Sequence, residues 1–316
     1  MMKQMVLQRI AIGFVTLMVV SVIVFVMTSW LPGDVASIIL GQAATPETLA
    51  ALRAQLGTDQ PLIYQYFGWL SNMATGDLGI SKAGGATISS LIESRIGNTM
   101  VMAGLVALIS IPISISLGLW AAMHPGTWLD RLVTFCTLSL ISVPEFFIAT
   151  ILVLILAVEL HWLPSTAYLT GDESFLELLK AVAMPLITLV IVVSAQMIRM
   201  TRAGILNVMS SPYIEMAILK GVPRRRIILR HAFFNAIGPI VNVIALNLAY
   251  LVSGVVIVET IFAYPGMAKL MIDAVQTRDL PLVQATAMIF CAVYVVLIIL
   301  ADVASILSNP RLRQPK

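Results

Sequence analysis

Ser211-Pro212-Tyr213-Ile214-Glu215-Met216-Ala217-Ile218-Leu219-Lys220-Gly221-Val222-Pro223-Arg224-Arg225-Arg226 brings helix signals, turn signals and charge together in one place. Ser211 suits a helix N-cap and Pro212 the first helical position. Gly221 suits the residue just past the helix end, and Pro223 prevents its continuation. Glu215 lies in the early part, toward the positive end of the helix dipole. Ile214, Ala217, Ile218 and Gly221 recur at i, i+3, i+4 and i+7, which makes one narrow apolar stripe. The pattern predicts a short amphipathic helix over 212–221. A helix of that length is marginal alone in water, so it needs a surface to rest on. With Lys220 as its only basic anchor, a groove on a partner protein suits it better than the bilayer. A plain connector lying on the membrane is the bland alternative. Arg224, Arg225 and Arg226, with Arg230 beyond them, oppose the dipole of the helix they begin. They serve topology, acidic headgroups or an acidic partner face, and topology is the simplest of the three.

Outward from this segment lie two apolar runs, 182–201 before it and 237–262 after it. Four more follow the same pattern, at 10–30, 98–123, 131–158 and 282–305. A hydrocarbon core about 30 Å thick needs about 20 apolar residues in a helix. The composition agrees: 59% of the 316 residues are hydrophobic, 11% are charged and the mean hydropathy is +0.97. Soluble domains carry about 25% charged residues. A soluble enzyme, a disordered chain and a nucleic-acid binder are thereby excluded. The chain reads as an all-α integral membrane protein with six transmembrane helices. Pro112, Pro144 and Pro185 fall in or at the ends of spans, where neighbouring helices or a cavity can satisfy the freed backbone groups. The first run reads as an uncleaved signal anchor, being too long for a signal peptide and without a small-residue cleavage site.

Charge sets the orientation. With the N-terminus in the cytoplasm, 13 of the 19 basic residues fall on the inner side, among them Lys3, Arg9, Arg131, Arg202 and Arg224–Arg226. The outer side holds Arg53, Lys82, Arg95, Lys180, Lys269 and Arg278, with the acids Asp172, Glu173 and Glu177. Both termini are expected in the cytoplasm. The long outer loop, 31–97, contains a helical pattern at Pro46–Leu56 closed by Gly57. A second short amphipathic helix, Gln60–Leu70, carries Tyr64, Tyr66, Phe67 and Trp69. Those aromatics are read as an interfacial belt, with a partner-binding face as the alternative.

No G-x-x-x-x-G-K-[ST], H-E-x-x-H or G-x-S-x-G occurs in the chain. His124, His161 and His231 lie far from any ligand spacing. Cys136 and Cys291 sit in apolar stretches without metal-ligand spacing. The chain is expected to be no enzyme and to bind no metal or cofactor of its own. If it moves solute uphill with ATP, the nucleotide chemistry must come from another chain. Glu145 follows Pro144 inside the third run; a buried acid there normally faces water or protein. It is either a contact for a substrate cation along a translocation path or a structural hydrogen-bonding group. Glu259, at the outer end of the fifth run, either helps gate or positions the 263–281 segment. Asp302 is expected to pair with a nearby Arg or to snorkel.

These residues resemble the integral-membrane permeases of ATP-binding-cassette importers, in particular the first (B-type) permease of dipeptide/oligopeptide and related nickel systems. Glu215-Met216-Ala217-Ile218-Leu219-Lys220-Gly221 is similar to the superfamily signature E-A-A-x-x-x-G, with Met216 in place of the first Ala. The usual I-x-L-P after it is absent. The peptide branch's K-G-x-x-R-R-R-I-x-L-R-H-A-x-x-N-A is matched from Lys220 to Ala236. Leu31-Pro32-Gly33-Asp34, Leu56-Gly57-Thr58-Asp59-Gln60-Pro61-Leu62, Gly76-Asp77-Leu78-Gly79, Val258-Glu259-Thr260-Ile261-Phe262 with Tyr264-Pro265-Gly266, and Asn309-Pro310-Arg311 continue the likeness along nearly the whole chain.

The resemblance implies a type I importer transmembrane domain over 94–305. It is preceded by an anchor and extracytoplasmic loop (1–93) and followed by a cytoplasmic tail (306–316). It also implies a second, similar permease subunit, two cytosolic ATPases that bind ATP and magnesium, and an extracytoplasmic solute-binding protein. The 212–221 segment would be the coupling helix, with Ile214, Glu215, Ala217, Ile218 and Gly221 at the docking site. The location would be a bacterial or archaeal cytoplasmic (inner) membrane. Di- and oligopeptides lead as substrate, with nickel complexes or oligosaccharides behind. A self-contained secondary transporter or channel is the competing class, and six spans with one capped inner helix suit it less well.

Overall fold

The structure is a computed structural model that describes residues 2–30, 40, 44–56, 59–168, 174–253 and 255–308. The Leu31–Asp34 match, Gly57, Asp172, Glu173 and the tail from Asn309 onward lie outside the described residues. Every regular element among the described residues is a helix. They are α1 (Met2–Ser29), α2 (Pro46–Leu56), α3 (Leu62–Ala74), α4 (Ile88–Met123), α5 (Trp128–Ser142), α6 (Glu145–Leu152), α7 (Phe175–Met209), α8 (Pro212–Leu219), α9 (Phe233–Ser253), α10 (Val256–Ile261), α11 (Met267–Gln276) and α12 (Leu280–Ser308). A π-helical stretch, Val153–Glu159, extends α6; a second, Ile227–Ala232, joins the turn Arg224–Arg226 to α9.

α1, α4, α7, α12 and the run Arg224–Ile261 are each long and apolar enough to cross a membrane. The expected third span differs. Instead of one helix over 131–158, the chain forms α5 and α6, bent by 102° at Val143–Pro144. Proline has no N–H to continue the helix, and its ring drives the preceding residue out of the helical region. Val143 is accordingly extended (φ −94°, ψ 129°). The pair counts as a sixth span only if the bent halves cross together. Other boundaries run past the apolar cores that mark them in sequence. α4 begins at Ile88 rather than near residue 98, and α7 runs Phe175–Met209 rather than 182–201. At the start of α7 the Ser174 N–H donates to Glu177 Oε2 (2.9 Å) and Ser174 Oγ accepts from the Glu177 N–H, a capping box.

Small residues permit the close crossings. A Cβ on Gly118 of α4 would lie 2.9 Å from the Ile198 carbonyl of α7, and one on Gly13 of α1 would lie 2.7 Å from Val295 of α12. α1 and α12 run antiparallel, joined by Arg9–Asp302 (3.2 Å) at one end and by Gln284 Nε2 to Thr28 Oγ1 (2.7 Å) at the other. Asp302 therefore has the arginine partner expected of it. The core is continuous from Met102 and Val106 of α4 through Met184, Leu189 and Met197 of α7 to Val258, Phe262 and Tyr264. Large apolar residues such as Leu108 and Phe135 lie on the outside, as a chain solvated by lipid requires.

Candidate functional site

Pro212 opens α8 at its first turn, as its fixed φ favours. The Ser211 hydroxyl donates to the Val208 carbonyl (2.5 Å), so it closes the end of α7 instead of capping α8. The far end of α8 is a Schellman closure. The Gly221 N–H donates to the Ile218 carbonyl (2.9 Å) and the Val222 N–H to the Ala217 carbonyl (3.1 Å). Gly221 adopts φ +74°, in the left-handed region that disfavours side chains, although open space surrounds its Cα. Its constraint is therefore conformational and not one of room.

The expected apolar stripe divides. Ile214 is fully buried and Ala217 is half-buried; α8 rests on the π-helical stretch 227–232 and the end of α7. Ile214 thus packs against its own bundle and not on the outward face. The outward face is Glu215 with Met216 (54% exposed), Ile218 (54%) and Leu219 (75%). Arg224, Arg225, Arg226 and Arg230 are exposed beside it, so the face is apolar with a basic border.

Toward the end of α7 lies an ion pair that sequence reasoning missed. Arg202 of α7 donates through Nε to Asp130 Oδ1 (2.6 Å) and through a terminal nitrogen to Oδ2 (2.9 Å). The Gly126 N–H also donates to Asp130 Oδ2 (2.9 Å). A buried carboxylate thereby ties the α4–α5 turn to α7, about two turns before α7 ends. Its partners are 72 residues apart in the chain, and no local pattern signals the pairing.

Glu145 stands at the first position of α6, where the helix dipole favours a carboxylate. The Tyr250 hydroxyl of α9 hydrogen-bonds its Oε2, which gives the structural alternative a named partner. At the end of the bundle opposite α8, buried Glu259 accepts from the Lys269 N–H (2.9 Å) and from Thr99 Oγ1 (3.4 Å). Its carboxylate thus sits at the start of α11. A Cβ on Gly266 would fall 2.2 Å from Glu259 Oε1, so any side chain there would displace the carboxylate from its N–H donors. Asn98 grips the same segment, accepting from Tyr264 Oη (2.6 Å) at its carbonyl and donating to the Pro265 carbonyl (2.9 Å). Burial pushes the Tyr264 phenol well above its ordinary range, and the Glu259 charge adds to this. Of the two roles open to Glu259, positioning the segment that follows is the one its contacts display. Nearby, Asp279 accepts from Ser81 Oγ (2.5 Å) and the Ala83 N–H (3.3 Å), tying the loop before α4 to the start of α12.

Comparison with known proteins bears on what such a bundle does. Residues 114–314 match the family of binding-protein-dependent transport system inner membrane components, and residues 1–118 match that family's N-terminal region. A putative peptide transport system permease protein of Brucella melitensis is 35% identical over 313 residues, 99% of each chain. A probable peptide ABC transporter permease protein of Sinorhizobium fredii is 32% identical over 309 residues, 98% of each. The glutathione transport system permease protein GsiC of Escherichia coli K12 is 34% identical over 298 residues, covering 94% of this chain and 95% of that one.

Proposed function

The chain belongs to the binding-protein-dependent transport system inner membrane components, and from that premise we propose that it forms half of a peptide translocation path worked by cytosolic ATPases through α8. As a member of that family it is a multi-pass inner membrane permease of an ATP-binding-cassette importer. ATP hydrolysis belongs to separate subunits, and ATPase and binding-protein partners follow from the family in general. The finer assembly is part of the proposal. A second, similar permease would complete the path, two ATPases carrying ATP and magnesium would sit on the cytoplasmic side, and one extracytoplasmic binding protein would deliver solute. Relatives named for peptide and glutathione transport support short peptides as cargo.

The observation that carries this reading is α8. Among the described residues its Met216, Ile218 and Leu219 face outward, half or more exposed, at the end of the molecule bearing Arg224–Arg226. Ile214 and Ala217 hold the helix to α7 and the π-helical stretch; Glu215, Met216, Ile218 and Leu219 meet the ATPase groove. Gly221 fixes the turn between the two. Nucleotide-driven closure of the ATPases displaces α8. Because packed helices are bistable, that small movement becomes rocking of α7 and α9 between two access states.

Gly221→Val tests the reading. Forcing a β-branched residue to φ +74° costs about 1–3 kcal/mol of local strain, which unwinds the end of α8 and leaves the spans alone. Uptake of a labelled tripeptide in cells should fall more than about tenfold at unchanged membrane abundance. Normal uptake by the variant would sink the proposal.

A further inference from the structure

α3 is an unusual element for a loop outside a membrane. Between Asp59 and Asp77 the chain has no charged residue, and none of the side chains of α3 is fully buried. At 100° per residue its apolar positions gather on one arc, and Tyr64 alone of the aromatics falls on the polar one. Trp69, Tyr66, Leu70, Ile63 and Phe67 follow one another around one arc, while Ser71, Asn72 and Gln65 occupy the other. One edge of the apolar arc is covered: Tyr66 and Trp69 pack on Phe25 of α1 at ring separations of 5.5 and 5.6 Å, and the hydroxyls of Tyr66 and Ser21 bond at 2.8 Å. The other edge, Ile63 and Phe67, is 56% and 59% exposed.

The height of that contact identifies what covers the exposed edge. The Thr28–Gln284 bond marks where α1 and α12 end together on the side away from Arg9. Ser21 lies seven residues further in, about 10 Å at 1.5 Å per residue. α1 itself is a membrane span, and its residues beside Ser21 and Phe25, Val22 and Val26, are also exposed. The apolar edge of α3 is therefore continuous with the lipid-facing side of α1 and begins below the end of the bundle. An uncharged amphipathic helix at that height, with Ser71 and Asn72 exposed on its polar arc, matches an in-plane interfacial helix. We infer that α3 is embedded in the outer leaflet beside α1, with Ile63 and Phe67 among the acyl chains and Ser71 and Asn72 toward the aqueous phase.

Site-directed spin labelling of the assembled importer in phospholipid vesicles tests this. Phe67→Cys and Asn72→Cys are made in a Cys136→Ser/Cys291→Ser background and carry a nitroxide. At position 67, collisions with oxygen should exceed those with a water-soluble nickel chelate several-fold; at position 72 the order should reverse. Chelate access at 67 equal to that at 72 overturns the assignment in favour of an aqueous helix. A label at 67 shielded from both reagents overturns it in favour of a protein partner on this face. Ile63→Cys gives the same reading if Phe67→Cys fails to assemble.

Discussion

At Gly266 a single added carbon would collide with the Glu259 carboxylate, 2.2 Å away. That carboxylate receives N–H groups from the first turn of α11, that of Lys269 among them, so neither partner can move without releasing the other. Gly266→Ala should destabilise the permease by about 1–3 kcal/mol, in the range for overpacking a tight site, and lower its thermal midpoint in detergent. Gly221→Ala meets no such clash, since an added Cβ would find nothing beyond its chain neighbours within 4 Å; it bears only the cost of φ +74°. The two glycines were equally visible in sequence, yet their reasons differ. One is set by the backbone turn that Pro223 and the helix pattern already announce. The other is set by an acid seven residues earlier, whose aim no local pattern gives.

Among the elements, the spans followed from composition because lipid demands about 20 apolar residues whatever the fold. α2 and α8 followed from their proline and periodicity signals. The bend at Val143–Pro144 did not, because a proline inside an apolar run is compatible with either a tolerated kink or a full break. The facing of α8 was also hidden, since its stripe can rest on its own bundle as well as on a partner, and Ile214 does the former. Two variants examine the bent pair and its anchorage. Glu145→Gln keeps an oxygen for the Tyr250 hydroxyl, so uptake of neutral peptides should be unchanged. A selective loss for cationic peptides would reveal a charge contact on the path. Asp130→Ala leaves Arg202 without its carboxylate and the Gly126 N–H unmatched. It should cost about 3 kcal/mol, the low end for a buried pair because Arg202 keeps some contact with solvent, read as a lowered thermal midpoint. An unchanged midpoint would mean that the turn before α5 is not held by this pair.

Over the whole molecule, one end is organised for contact and the other for closure. At the end bearing Arg224–Arg226, α8 stands outside the bundle on a base of Ile214, and the Asp130–Arg202 pair joins α5 to α7. At the other end Glu259, Asn98, Asp279 and Ser81 fasten α11 and the loop before α4 into one cover. An importer driven from below needs such a pattern, with a rigid handle linked to a movable bundle beneath a structured outer mouth. The handle is the central claim, and its most direct test is contact. A photo-reactive amino acid placed at Leu219 in the assembled importer should crosslink to an ATPase subunit, while one at Leu108, on the lipid-facing side of α4, should not. Absence of an ATPase adduct from position 219, in a complex that still hydrolyses ATP, would contradict the account.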